Sequence, residues 1–190
     1  EVVGLGGLLD LPEIVDLISA LRVIHYAEAG SQLIRLLTGP RWRIGAKDIE
    51  RLYRYASRLA SPGDEALKAR QRDSLATEDA ISIVDALDSL LEERNPEKIG
   101  FSDAGLPRLK DAAQTLRNFR RRTGMPLVEF VRVVEQELWL DIEVSANPRR
   151  KNPMAHLNAF AGVVSSYAGS NARPHLGAFL EWLEFADERE

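Results

Sequence analysis

Large apolar residues recur at helical spacing along almost the whole of this 190-residue chain, and that periodicity confines it to an all-α fold. Ile14, Leu17, Ile18, Leu21 and Ile24 follow one another at intervals of three and four, with Pro12 in the first turn, and predict a helix to about Tyr26. Leu33, Leu36 and Leu37 predict a second helix over Ser31 to Thr38, stopped by Gly39-Pro40. The third begins near Ala46, carries Ile49, Leu52, Tyr53, Ala56 and Leu59 on one face, and ends before Ser61-Pro62-Gly63. Pro62 to Glu78 is polar and reads as a loop or a frayed helix. Ile81, Val84, Leu87, Leu90 and Leu91 mark a fourth helix closed by Asn95-Pro96. A fifth, capped by Ser102 or Asp103, aligns Leu109, Ala112, Ala113, Leu116 and Phe119 up to Gly124. A sixth starts at Pro126 and carries Leu127, Phe130, Val131, Val134 and Leu138, before a loop over Ser145 to Pro153. Leu157, Phe160, Val164 and Tyr167 set a seventh. Asn171 as cap and Pro174 in the first turn open an eighth, lined by Leu176, Phe179, Leu180 and Leu183. The expectation is a single domain over residues 1–190, an irregular bundle of about eight helices.

The N-terminus departs from this pattern. Glu1-Val2-Val3-Gly4-Leu5-Gly6-Gly7 reads as a short strand running into a glycine turn. A lone strand cannot satisfy its own backbone, and no second strand is evident to pair with it. Residues 1–7 are therefore expected to be the edge of a neighbouring domain in a larger protein.

Charge and composition restrict function. With 25 Lys and Arg against 29 Asp and Glu, the net charge of -4 argues against a chain that coats nucleic acid over its whole surface, while leaving room for a local basic patch. The absence of cysteine excludes disulfides, thiolate metal sites and cysteine nucleophiles, and fits a reducing cytoplasm. No apolar run reaches the roughly 18 residues of a membrane span, and no charged-then-apolar leader opens the sequence. Phosphate-binding G-x-x-x-x-G-K-[ST] and H-E-x-x-H motifs are missing. His25, His156 and His175 lack metal-ligand spacing, and Glu92-Glu93, Glu135, Glu137 and Asp187-Glu188 fall on solvated helix faces. Neither a catalytic constellation nor a cofactor or metal site is expected in the chain itself.

One stretch stands out: Gly39-Pro40-Arg41-Trp42-Arg43-Ile44-Gly45-Ala46-Lys47-Asp48. Gly45 immediately precedes a helix, so backbone can approach a ligand there and the first-turn N–H groups form an anion site aided by the helix dipole. Arg41, Arg43 and Lys47 add charge, and Trp42 could stack on a base or lie along a sugar. The candidate nucleic-acid-binding residues are Arg41, Trp42, Arg43, Ile44, Gly45, Ala46 and Lys47. The competing interpretation is a loop whose Trp42 plugs the core and whose arginines pair with acids such as Asp48 and Glu50. Two further groups could extend a cationic face: Arg117, Arg120, Arg121 and Arg122, and Arg149, Arg150 and Lys151. Each reads by itself as a solvated surface.

The order of segments resembles the inserted domain 2B of superfamily 1 DNA helicases of the UvrD, Rep and PcrA type, in particular their actinobacterial branch. The resemblance is carried by Val2-Val3-Gly4-Leu5-Gly6-Gly7, by Pro12-Glu13-Ile14-Val15-Asp16 leading to Ala20-Leu21-Arg22, by Leu33 to Pro40, and by Arg43-Ile44-Gly45. Met125 to Phe130, Leu138-Trp139-Leu140, Leu157 to Phe160 and Phe179 to Leu183 follow in the same order. It implies that residues 1–7 border motor domain 2A and that the Arg43-Ile44-Gly45 turn meets duplex backbone ahead of a fork. Arg43 stands where the family's Gly-Ile-Gly turn has its first glycine, so a side chain there either obstructs phosphate approach or replaces it with a charge contact. The resemblance also implies a parent that hydrolyses ATP with Mg²⁺ in its motor domains and translocates 3′ to 5′ on single-stranded DNA. Its partners would be a duplex at a single-strand junction, the motor domains of the same chain and, in some arrangements, a helicase–nuclease subunit. Its location would be cytoplasmic, with the nucleoid.

Overall fold

A computed structural model describes residues 5–60, 82–146 and 152–187. The chain forms α1 (Leu5–Leu9), α2 (Pro12–His25), α3 (Gly30–Thr38), α4 (Ala46–Ala60) and α5 (Ile83–Ser89), then a 3-10 turn (Pro96–Ile99). It continues through α6 (Gly105–Arg121), α7 (Leu127–Glu137), α8 (Leu140–Ser145), α9 (Ala155–Ser170) and α10 (Leu176–Asp187). The described residues are all-helical, without strands, and no helix among them is long and apolar enough to cross a membrane.

Helix α2 is the centre of the bundle. Pro12 occupies its first position, where a missing N–H costs nothing, and Ile14, Leu17, Ala20, Leu21, Val23 and Ile24 bury around most of its circumference. Such a helix must be surrounded, and α1, α3, α6, α7, α8, α9 and α10 all pack on it. Helix α4 is strongly amphipathic and lies farther out, packing on α5, which in turn bridges to α3 and α6. At the other end, Phe160 of α9 and Phe179 of α10 meet edge to face at 6.2 Å, with the Tyr167 ring 5.2 Å from Phe179. Buried apolar residues from Leu8 to Leu183 form one continuous cluster.

Several elements differ from the sequence expectation. Val2 and Val3, the expected strand, lie outside the described residues, as do the expected Pro62 to Glu78 loop and Arg149 to Lys151. Gly6 and Gly7 sit within α1 rather than in a turn: Asp10 N–H donates to the Gly6 carbonyl at 3.2 Å, and Leu8 is buried. Burial of Leu8 beside α10 outweighs the roughly 1 kcal/mol by which each glycine disfavours a helix. Helix α5 is shorter than its apolar stripe, starting after Ser82, whose hydroxyl accepts from the Asp85 N–H. Asn171 does not cap α10; its side-chain amide donates to the Tyr167 carbonyl at the end of α9, and His175 Nδ1 accepts the Ala178 N–H instead. The short helix α8 was not expected. Trp139 adopts a left-handed conformation (φ 61°) that divides it from α7.

Candidate nucleic-acid interface

The loop joining α3 to α4 is pinned at both sides. Gly39 closes α3, the Arg43 N–H donates to the Gly39 carbonyl at 2.9 Å, and the Ile44 N–H donates back to the Leu37 carbonyl at 2.8 Å. This tight chain reversal forces two side chains inward. Ile44 is buried, and Trp42 is 2% exposed with its indole Nε1–H donating to Asp111 Oδ2 at 2.8 Å. The indole is thus a core plug with its polar edge satisfied, and its ring is not free to stack on a base. Arg41 is likewise committed internally: it lies 3.2 Å from Asp111 and its guanidinium sits 4.0 Å over the Trp139 ring. For these two residues the interpretation of the loop as a structural element holds, with Asp111 of α6 as the acid rather than Asp48 or Glu50.

Arg43, Gly45, Ala46 and Lys47 face outward. Arg43 adopts φ 51°, the left-handed region that glycine favours, and its exposed Nε donates to the Pro40 carbonyl at 3.2 Å. Gly45 is different. Its φ lies outside the left-handed range, and a Cβ there would meet nothing within 4 Å. Nothing among the described residues demands glycine at this position.

The Gly45 carbonyl accepts from Asp48 and Ile49 at 3.0 and 3.1 Å, which starts α4 and leaves the N–H groups of Ala46 and Lys47 without protein acceptors among the described residues. Asp48, the acid in this first turn, is buried and turned away from them. Its carboxylate accepts from the Ser102 N–H at 2.8 Å and from the Ser102 hydroxyl at 2.6 Å, while that hydroxyl accepts from Gly105 N–H at 2.9 Å. The start of α4 is thereby tied to the start of α6. A Cβ on Gly105 would collide with the Asp48 carboxylate.

This junction also brings in cations that no local spacing signals. Arg108 of α6 donates to the Arg43 carbonyl at 3.2 Å, and Arg51, one turn beyond Lys47, lays its guanidinium over Gly100. Gly100 has φ 85°. Arg43, Lys47, Arg51 and Arg108 are exposed and make no ion pair among the described residues. Of these cations the sequence signalled Arg43 and Lys47; Arg51 and Arg108 were not singled out, and Arg108 arrives through the α4–α6 junction.

The second arginine group is largely neutralised. Arg117 donates to Asp88 at 2.8 and 3.0 Å and lies 3.2 Å from Glu92, Arg120 lies 3.4 Å from Asp88, and Arg122 lies 2.5 Å from Glu137. The Arg117 hydrogen bond holds the Asp88 carboxyl below its usual range, against the opposing effect of burial. Of this group Arg121 alone is exposed without an ion pair among the described residues. His156 Nδ1 lies 2.7 Å from the buried Glu13, tying α9 to α2. No group of three or more His, Asp or Glu among the described residues is placed to share a metal ion. Comparison with protein-family models and with curated proteins gives no match for this chain.

Proposed function

We propose that this chain is an accessory domain that touches the phosphate backbone of duplex DNA through the start of α4, in the manner of the 2B insert of a UvrD-type ATP-dependent helicase. The observation that carries this reading is the pair of amides at Ala46 and Lys47, without acceptors among the described residues, accompanied by the exposed cations Arg43, Lys47, Arg51 and Arg108 and preceded by a glycine whose Cβ would meet nothing within 4 Å. Amide donors at a helix N-terminus suit a phosphate oxygen, and guanidinium groups can fork onto its neighbours. Such contacts read no base sequence, so binding would be sequence-tolerant and salt-sensitive. The domain would position a fork near the nucleoid, while ATP and Mg²⁺ would be held by motor domains of the parent.

The test is a duplex titration at several salt concentrations. At the chain's net charge of -4, binding near 10⁻⁴ M or weaker is expected in physiological salt. Arg43→Ala, Lys47→Ala and Arg108→Ala should each weaken it and reduce the slope of log K against log salt by about 0.9 per lost phosphate contact. Unchanged affinity and slope in all three would remove DNA from this surface.

A second reading, a protein-interaction or autoinhibitory module without DNA contact, is favoured by exposed apolar groups: Trp139 and Ile142 at α8, and Trp182 and Phe185 on α10. Capture of the motor domains by a chain that ignores duplex DNA would support it.

A further inference from the structure

Between α1, α2, α3 and α10 lies a cleft of about 340 Å³, lined by the apolar Leu9, Val15, Ile18 and Leu183 and by the polar Ser19, Arg22, Ser31, Gln32 and Arg35. Its lining is built by register. Val15, Ile18, Ser19 and Arg22 recur at i, i+3, i+4 and i+7 on α2, and Ser31 and Arg35 stand one turn apart on α3.

Two polar side chains in this lining have no hydrogen-bond partner among the described residues. Ser19 is 4% exposed, yet among the described residues its hydroxyl makes no bond, not even to the carbonyl one turn back on its own helix. The Arg22 side chain makes no hydrogen bond among the described residues: its nearest carboxylate, Glu184, is 3.4 Å away, and its Nε is sealed from solvent without an acceptor. Arg35 spends one donor on Asp16 at 2.5 Å and has the others to spare. A buried donor left unpaired is costly, and sites that look unsatisfied when empty are commonly completed by a ligand.

We propose that this cleft binds a small carboxylate with a short apolar tail, its head between Arg22, Arg35 and the Ser19 hydroxyl and its tail on Leu9, Val15, Ile18 and Leu183. Asp16 and Glu184, paired with Arg35 and Arg22, already supply negative charge, so a monoanion fits where a dianionic phosphate would be repelled. The volume suits a ligand of small-molecule size. The site is separate from the α4 surface, and the inference does not depend on DNA binding.

The test is a titration of the 190-residue chain with hexanoate, followed in amide ¹H–¹⁵N spectra, with hexanol and hexylamine as controls of matched tail. Saturable shifts centred on Ser19, Arg22, Gln32 and Arg35 are expected, with a Kd of about 1 mM. Arg22→Gln should weaken binding roughly tenfold and Ser19→Ala about threefold. The proposal is overturned if hexanoate produces no saturable shift, if hexanol or hexylamine shifts the same amides with the same midpoint, or if the shifts map to another face. Should Arg22→Gln fail to fold, Ser19→Ala and the ligand series in the unaltered chain still decide the matter.

Discussion

Substitution of Trp42 separates a structural indole from a DNA-stacking one. The side chain is 2% exposed, so folding removes about 200 Å² of largely apolar surface from water, equivalent to about 5 kcal/mol at 25 cal/mol per Å². Trp42→Ala should therefore cost about 4 kcal/mol after partial relaxation. Trp42→Phe keeps most of the ring but deletes the Nε1–H bond to Asp111. Because the Asp111 side chain is 51% exposed, that bond is placed at about 1 kcal/mol. The smaller ring adds about 1 kcal/mol for the residual cavity, about 2 kcal/mol in total. With a urea slope of about 2 kcal/mol per M, the unfolding midpoint should fall by about 1 M for Phe and about 2 M for Ala. Combined with Asp111→Ala, Trp42→Phe should show a coupling of about 1 kcal/mol, since both remove the same bond. Duplex affinity of folded Trp42→Phe should match that of the unaltered chain. A variant with an unmoved urea midpoint and weakened duplex binding would refute the placement of this indole in the core.

Arg43 tests backbone and charge together: Arg43→Gly and Arg43→Ala should lose duplex affinity equally, while the glycine variant is the more stable by about 1 kcal/mol because only glycine relieves the positive φ. Gly105→Ala should destabilise by about 2 kcal/mol or more, read from urea midpoints, because its methyl displaces the buried Asp48 carboxylate from Ser102. Two carboxyls give opposite acid dependences. Asp88, held below its ordinary 3.8 mainly by Arg117, adds stability that is complete above that value and is lost as pH falls through the lower folded pKa; Arg117→Met should flatten this limb. Glu135, raised above its ordinary 4.5 chiefly by burial and then by Asp141, opposes folding when ionised, so stability should gain as pH falls from above its folded pKa toward 4.5, and Glu135→Gln should abolish that gain. Urea midpoints measured from about pH 2.5 to 7 follow both.

Local chemistry was enough to determine the helices that carry a full apolar stripe. In α2, Pro12 sets the start and the three-and-four spacing sets the buried face, so its limits follow from residues within one or two turns. The same holds for α4, begun at Ala46, and for the buried lines of α6, α7 and α9. Where a local preference competes with distant packing, the sequence misleads. Leu5 to Leu9 is helical despite two glycines because Leu8 finds the core, and Trp139 takes a left-handed turn beside Arg41 from a distant loop. At the candidate interface the sequence named the anion-favouring helix start and three neighbouring cations. It could not say which of them point outward. That was decided by α6, whose Asp111 draws Arg41 and Trp42 inward, whose leading Ser102 holds the Asp48 carboxylate away from the Ala46 and Lys47 amides, and whose Arg108 adds a charge from more than sixty positions along the chain. Hydrogen bonds and ion pairs act over a few ångströms of space rather than along the sequence, so which groups remain free is a property of the assembled core.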